Sequence, residues 1–217
     1  MIRGLLFDMD GVLVDTEPVH AEARRRTYEK YGIPYDLVRD IPVIGRNTDA
    51  IFADVDIRVP FPVPLCEAVR FKRDAFVSLL GGALEPLPGV RALLDWSRGR
   101  FRVALVTASA RQNVMAVLAG TGLAKCFDAL VVAEDVKKWK PDPESYLLAA
   151  ERLGLKPAEC AVFEDSPVGA ASARAAGMKV IGVNTGQGGK SPKAADRVVD
   201  DLESGAGAVR AFLEDNT

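Results

Sequence analysis

The run FDMDGVLVDTE, residues 7–17, follows the apolar pair Leu5-Leu6 and sets two carboxylates, Asp8 and Asp10, just past it. A short apolar run that stops at acids and a glycine reads as a strand buried on both faces and ending at a turn. Asp8 and Asp10 are two positions apart, so in extended backbone their side chains leave the chain on the same side. The pattern recurs further along. Phe101–Val106 stops at Thr107, Leu130–Val132 is another apolar run, Cys160–Phe163 stops at Glu164 and Asp165, and Lys179–Val183 and Arg197–Val199 complete the series.

Helical patterns lie between these runs. One opens at Pro88-Gly89 and carries Leu93, Leu94 and Trp96. A second runs from Arg111 through Val114, Val117 and Leu118 to the glycines at 120–122. A third starts at Asp142-Pro143 and ends at Gly154, and a fourth starts at Ser166-Pro167 and ends at Gly177. Proline in the first turn and glycine just past the end suit the unpaired backbone groups of helix termini. Strand alternating with helix predicts an α/β fold with a doubly wound parallel sheet. Residues 15–82 break the rhythm. Thr16 is placed to cap a helix from Glu17 to Tyr31, closed by Gly32, and Asn47–Asp54 and Pro64–Leu80 also read as helices. The prolines of Val59–Pro64 make a stiff connector between the last two. The expected organisation is a core of residues 1–14 and 83–217, with residues 15–82 inserted as a small helical cap domain.

Composition narrows the function. The 217 residues are 48% hydrophobic and 27% charged, with a net charge of −2. That balance is ordinary for a globular protein and argues against nucleic acid or an anionic membrane as partner. Cys66, Cys126 and Cys160 are odd in number and widely spaced, which predicts reduced thiols in a cytoplasmic protein. The N-terminus is not patterned as a signal peptide, and no apolar run has the length of a membrane span. His20 is the sole histidine, so a multi-histidine metal centre is excluded.

In open α/β sheets ligands bind beyond the carboxyl ends of the strands. Asp8, Asp10, Thr107, Glu164 and Asp165 would all meet there. Any one of them alone is as well explained as a helix cap. Several carboxylates at one sheet edge, however, repel one another unless a cation joins them, and a hard divalent ion such as Mg²⁺ suits oxygen ligands.

Four segments resemble the motifs of the haloacid dehalogenase-like phosphohydrolases, in that family's order: FDMDGVLVDTE at 7–17, VTAS at 106–109, KWKPDP at 138–143 and FEDSPVG at 163–169. The insertion is similar to the small cap of the phosphoglycolate phosphatase and β-phosphoglucomutase branch. The resemblance implies that Asp8 attacks phosphorus and becomes an aspartyl-phosphate. Asp10 would serve as acid to the leaving alcohol and base to the attacking water. Thr107 and the Ala108 N–H would bind a phosphoryl oxygen, with Ser109 alongside, and Lys140 would neutralise the phosphate. Mg²⁺ would be held by Asp8, the Asp10 carbonyl and Asp165, with Glu164 in or just outside its ligand shell. His20, near the hinge, and the cap residues Arg46 and Lys72 are the candidates for touching the rest of the substrate.

The chain departs from the mutase pattern. Thr48 stands where β-phosphoglucomutases have arginine, and Ala110 and Arg111 stand where they have lysine and asparagine. A phosphatase acting on a small phosphorylated metabolite is therefore expected ahead of a phosphosugar mutase, and both ahead of a non-catalytic metabolite-binding module. A monomer or weak homodimer is expected. Two motifs are set aside. GQGGKS at 186–191 resembles a P-loop, but Asn184 occupies the position of its first glycine, so a surface loop is expected. His20-Ala21-Glu22 matches the HxE of zinc deaminases without the cysteines that should follow. Asp8→Asn should abolish turnover while leaving the fold intact; substantial activity in the purified, folded variant would remove Asp8 as nucleophile.

Overall fold

Gly4–Phe7 forms the strand β1, and the five other apolar runs form β2 (Arg102–Val106), β3 (Ala129–Val131), β4 (Cys160–Glu164), β5 (Lys179–Val183) and β6 (Arg197–Val199). The computed structural model describes residues 1–82, 84–184 and 194–216, so the 186–191 motif lies outside the described residues. All pairings are parallel, in the order β3-β2-β1-β4-β5-β6. The chain builds outward from β1 to β3, then returns to the other side of β1 with β4. This reversal opens a crevice beyond the carboxyl ends of β1 and β4.

Period-two alternation divides the strands between two apolar layers. Leu5, Phe7, Leu105 and Phe163 face a cluster shared with α4 (Val90–Ser97), α5 (Arg111–Thr121) and α8 (Ala206–Asp215). Leu6, Ala104, Val106 and Val162 face the other way, onto α6 (Glu144–Leu153) and α7 (Pro167–Ala175). The Phe7 and Phe163 rings stack with centroids 4.4 Å apart. β1 and β4 are buried along their whole length, which explains why they read as continuous apolar runs.

The insertion contributes α1 (Glu17–Tyr31), α2 (Thr48–Arg58) and α3 (Leu65–Leu80). These helices share a third cluster that includes Tyr28, Ile51, Phe52, Val55 and Val69. Ala23 of α1 and Phe76 of α3 instead join the sheet-face cluster, which seats the insertion on the crevice.

The structure differs from the sequence expectation at several ends. α2 continues to Arg58, because the first breaker is the Val59-Pro60 pair and not Asp54. Pro143 occupies the N-cap of α6 rather than its first turn. α8 has no counterpart in the sequence reading. The three cysteines are free, and burial pushes the Cys160 thiol up to about 12. Among the described residues, no helix is long and apolar enough to cross a membrane.

Candidate active site

Asp8 begins where β1 ends, its N–H donating to the Phe163 carbonyl of β4 at 3.0 Å. The chain then turns at once. Gly11 has φ 82°, and its N–H donates to the Val14 carbonyl at 2.8 Å. A side chain at Gly11 would be strained by that φ and would overlap the Asp165 carboxylate. Gly169 clears space in the same way: a Cβ there would overlap the Glu164 carboxylate. Two glycines from separate motifs thus let the carboxylates at the end of β4 sit against backbone.

Asp8, Asp10, Thr107, Ala108, Ser109, Lys140 and Asp165 line one cavity, which extends to His20, Arg46 and Lys72 of the insertion. Lys140 reaches its place from a loop pinned by Glu144, whose carboxylate accepts from the Lys137 and Lys138 N–H groups at 3.0 and 2.8 Å. The Lys140 ammonium lies 2.7 Å from Asp8 Oδ1 and 2.5 Å from Glu164 Oε1. Tyr146, on the buried face of α6, donates to that same Glu164 oxygen at 2.6 Å. Glu164 Oε2 accepts from the Ser166 N–H and hydroxyl at 3.2 and 3.0 Å. Both Glu164 oxygens are therefore engaged by protein donors, and the residue is fully buried. Ser166 also accepts from the Gly169 N–H at 3.0 Å, capping α7, so for this serine the helix-cap explanation holds.

Asp10 is gripped from three directions. The Thr16 hydroxyl donates to Oδ1, the Ser109 hydroxyl donates to Oδ2 at 3.0 Å, and His20 Nε2 lies 3.6 Å from Oδ1. Thr16 stands at the N-cap of α1 as expected, but its side chain makes no cap bond; the hydroxyl goes to Asp10 instead. Burial works to raise the Asp10 carboxyl, but His20, Thr16 and Ser109 outweigh it and hold it at about 2.

The Asp8 and Asp165 carboxyls behave oppositely. Burial pushes Asp8 well above its ordinary value; Lys140 opposes, while Glu164, Asp165 and Asp10 push further up. Burial and the Glu164 charge raise Asp165 to about 7. The Lys140 ammonium is held well above its usual range: burial works against the charge, and Asp8 and Glu164 overcome it. Asp8, Glu164 and Asp165 each offer an oxygen, all within 4.8 Å of one another. An all-oxygen set of crowded carboxylates suits a hard divalent cation, whose charge would favour their ionised forms.

On the far side, the Lys72 ammonium lies 2.6 Å from His20 Nδ1, and the His20 ring stacks on Phe76 at 4.2 Å. A protonated Lys72 donates to Nδ1, which leaves the imidazole proton on Nε2, facing Asp10. Burial, reinforced by the Arg24 charge, brings Lys72 down to about 7. Burial also lowers His20, with Lys72 adding to the effect. Arg46 reaches the cavity wall, but its guanidinium donates to Asp54 at 2.8 Å and to the Pro42 carbonyl at 2.9 Å. Sequence reasoning missed Thr16, Tyr146 and Arg24, the last paired with Glu17 at 2.6 Å on the same wall. Tyr146 carried a usable signal: a tyrosine on a buried helix face needs a partner for its hydroxyl.

An oxygen-rich cluster of acids with one buried lysine, at the reversal point of a parallel sheet and beneath an inserted helical layer, marks an α/β enzyme built to hold an anion. Residues 2–177 match the haloacid dehalogenase-like hydrolases. The chain belongs to that family and is a phosphohydrolase of its phosphoglycolate phosphatase and β-phosphoglucomutase branch. It is 41% identical over 181 residues to the fructose-1-phosphate phosphatase YqaB of Escherichia coli, covering 83% of this chain and 95% of that protein. It is 37% identical over 185 residues to a phosphorylated carbohydrates phosphatase of Thermotoga maritima, covering 83% and 84%. A mutant CbbY from Rhodobacter sphaeroides, solved with xylulose-1,5-bisphosphate, superposes with a TM-score of 0.82 at 26% identity, covering 94% of this chain and 96% of that one.

Tyr146→Phe tests the support beneath Lys140. Removing one donor from a buried carboxylate should cost about 1–3 kcal/mol of stability, read as a lower denaturant midpoint, and should reduce kcat. An unchanged midpoint would mean that the Tyr146–Glu164 bond contributes nothing.

Proposed function

We propose that the chain is a Mg²⁺-dependent phosphatase that hydrolyses a sugar phosphate through an aspartyl-phosphate on Asp8. The observation that carries this reading is the convergence of Asp8, Asp165, Lys140 and Thr107 on one cavity. Residues 15–82 act as the cap over a core of residues 1–14 and 83–217.

In the first half-reaction an Asp8 carboxylate oxygen attacks phosphorus and the ester bond breaks, while Asp10 protonates the departing alcohol oxygen. In the second, Asp10 takes a proton from water, whose oxygen attacks phosphorus and releases Asp8 and inorganic phosphate. Thr107 and the Ala108 N–H hold the phosphoryl oxygens, and Lys140 balances their charge. Asp10 must be protonated for the first half. An arriving phosphate dianion favours that form by like-charge repulsion, whereas Thr16, Ser109 and His20 favour the ionised form needed afterwards. Mg²⁺, held by Asp8, Asp165 and the Asp10 carbonyl, would supply positive charge for both the carboxylates and the phosphate. We place Glu164 outside that set, holding Lys140, because its oxygens are already occupied.

The YqaB relationship supports a sugar phosphate as substrate. Hydrolysis rather than phosphoryl return to a sugar is favoured by the distal cations. Arg24 and Arg46, both on the cavity wall, are paired with Glu17 and Asp54, so neither guanidinium is committed to a second phosphate. Incubation with a panel that includes fructose 1-phosphate should release inorganic phosphate, stop on addition of EDTA and resume with excess Mg²⁺. Conversion to an isomeric sugar phosphate without phosphate release would contradict hydrolysis, and turnover that survives chelation would contradict the metal.

A further inference from the structure

A second cavity lies at the opposite edge of the sheet. Arg3 leads into β1, Arg102 is the first residue of β2 and Asp128 stands just before β3, and all three line it. It therefore opens at the amino ends of the strands, whereas Asp8, Thr107 and Glu164 lie at the carboxyl ends. The five residues of β2 put about 16 Å between the two edges. The cavity has a volume of about 490 Å³, within the range of small-molecule sites.

Its charge is one-sided. Arg3, Arg98, Arg100, Arg102 and Lys125 line it against a single carboxylate, Asp128, in a chain whose net charge is −2. That carboxylate is already engaged: Oδ2 accepts from the Val103 N–H at 2.8 Å, and Oδ1 lies 3.5 Å from Arg102. Arg3 and Arg98 reach acids outside the lining, Glu159 at 3.1 Å and Asp95 at 3.4 Å. Surface pairs of this kind are weak, so an incoming anion can exchange with them. Arg100 and Lys125 have no acid within ion-pair distance among the described residues. The Arg100 guanidinium lies 5.3 Å from the Trp96 ring, a contact that orients it without neutralising it.

Cations gathered around one cavity repel one another, and an anion between them removes that repulsion. Arginine's planar fork matches phosphate oxygens in pairs, and lysine adds a point charge. Arg100 comes from the turn after α4 and Lys125 from the short helical turn Ala124–Cys126. Two unpaired cations on separate segments suit an anion of more than one charge. We propose that this cavity is a second anion site, apart from the catalytic one, that binds a small molecule bearing a diphosphate through Arg100 and Lys125. The site does not depend on the phosphatase reading.

Pyrophosphate, titrated in the presence of EDTA, is the probe. The chain has two tryptophans, and Trp139→Phe leaves Trp96, beside Arg100, as sole reporter. Its emission should change saturably with pyrophosphate and not with sodium chloride of matched ionic strength, and inorganic phosphate should bind about tenfold more weakly. Lys125→Glu should weaken pyrophosphate about tenfold while leaving the thermal midpoint and turnover in Mg²⁺ unchanged. Thr107→Ala, in the catalytic site, should leave the Trp96 response intact. Arg100→Gln alters the reporter, so its matching loss is read by calorimetry in the Thr107→Ala background. The proposal would be overturned by the absence of a saturable response, by one that sodium chloride reproduces, or by equal affinity for phosphate and pyrophosphate. A response that Thr107→Ala removes, or that Lys125→Glu leaves unchanged, would overturn it equally.

Discussion

The Lys140 ammonium is shared between Asp8 and Glu164, and all three residues are buried. Removing these charges from solvent is expensive, and their attraction repays the cost only when the geometry is good and the remaining lone pairs are satisfied. The surroundings meet that condition on one side. Tyr146 and Ser166 complete the hydrogen bonding of Glu164, so this carboxylate is a fixed anchor for the lysine. Burial is the main cause of the raised Asp8 and Asp165 carboxyls; the neighbouring carboxylates add to it and Lys140 opposes it. A fold that concentrates uncompensated carboxylates in one place is prepared for a divalent cation.

The rest of the architecture keeps that cluster in register. β1 and β4 pair residue for residue, Phe7 opposite Phe163, so Asp8 and Glu164 leave neighbouring strands at the same level. β2 pairs on the other side of β1 and delivers Thr107 and Ser109 to the same edge. The apolar layers on both faces of the sheet make this edge rigid. Gly11 and Gly169 let the acids at the end of β4 approach backbone that any side chain would block. His20 of α1 and Lys72 of α3 line the same cavity, and Phe76 of α3 joins the sheet's own core.

Much of this was legible in the sequence because it rests on short-range rules. All six strands were visible as apolar runs, most clearly β1 and β4, which are covered on both faces and carry little polar surface. α1 was readable to its ends from Thr16 and Gly32. Asp8, Thr107 and Asp165 were legible because each follows directly on a strand end, whereas Lys140 sits in the loop before α6. What escaped depends on partners distant in the chain. Thr16 looks like a helix cap until Asp10 is beside it. Glu164 stands at a strand end like the other acids, and only the structure shows Lys140 and Tyr146 sharing its Oε1. Arg46 reaches the cavity wall, and its pairing with Asp54 eight residues on was not readable from the chain. α8 was missed because its ends carry neither a side-chain cap bond nor a left-handed glycine.

The account turns on Asp8 carrying the phosphoryl group during turnover. Acid quenching of the protein with Mg²⁺ and its sugar phosphate substrate in steady state, followed by peptide mass spectrometry, tests this directly. A single phosphoryl increment on the peptide spanning residues 7–17, localised to Asp8, is the expected result. A phosphoryl group on Thr107 or Ser109 instead, or none on the protein during rapid hydrolysis, would contradict it.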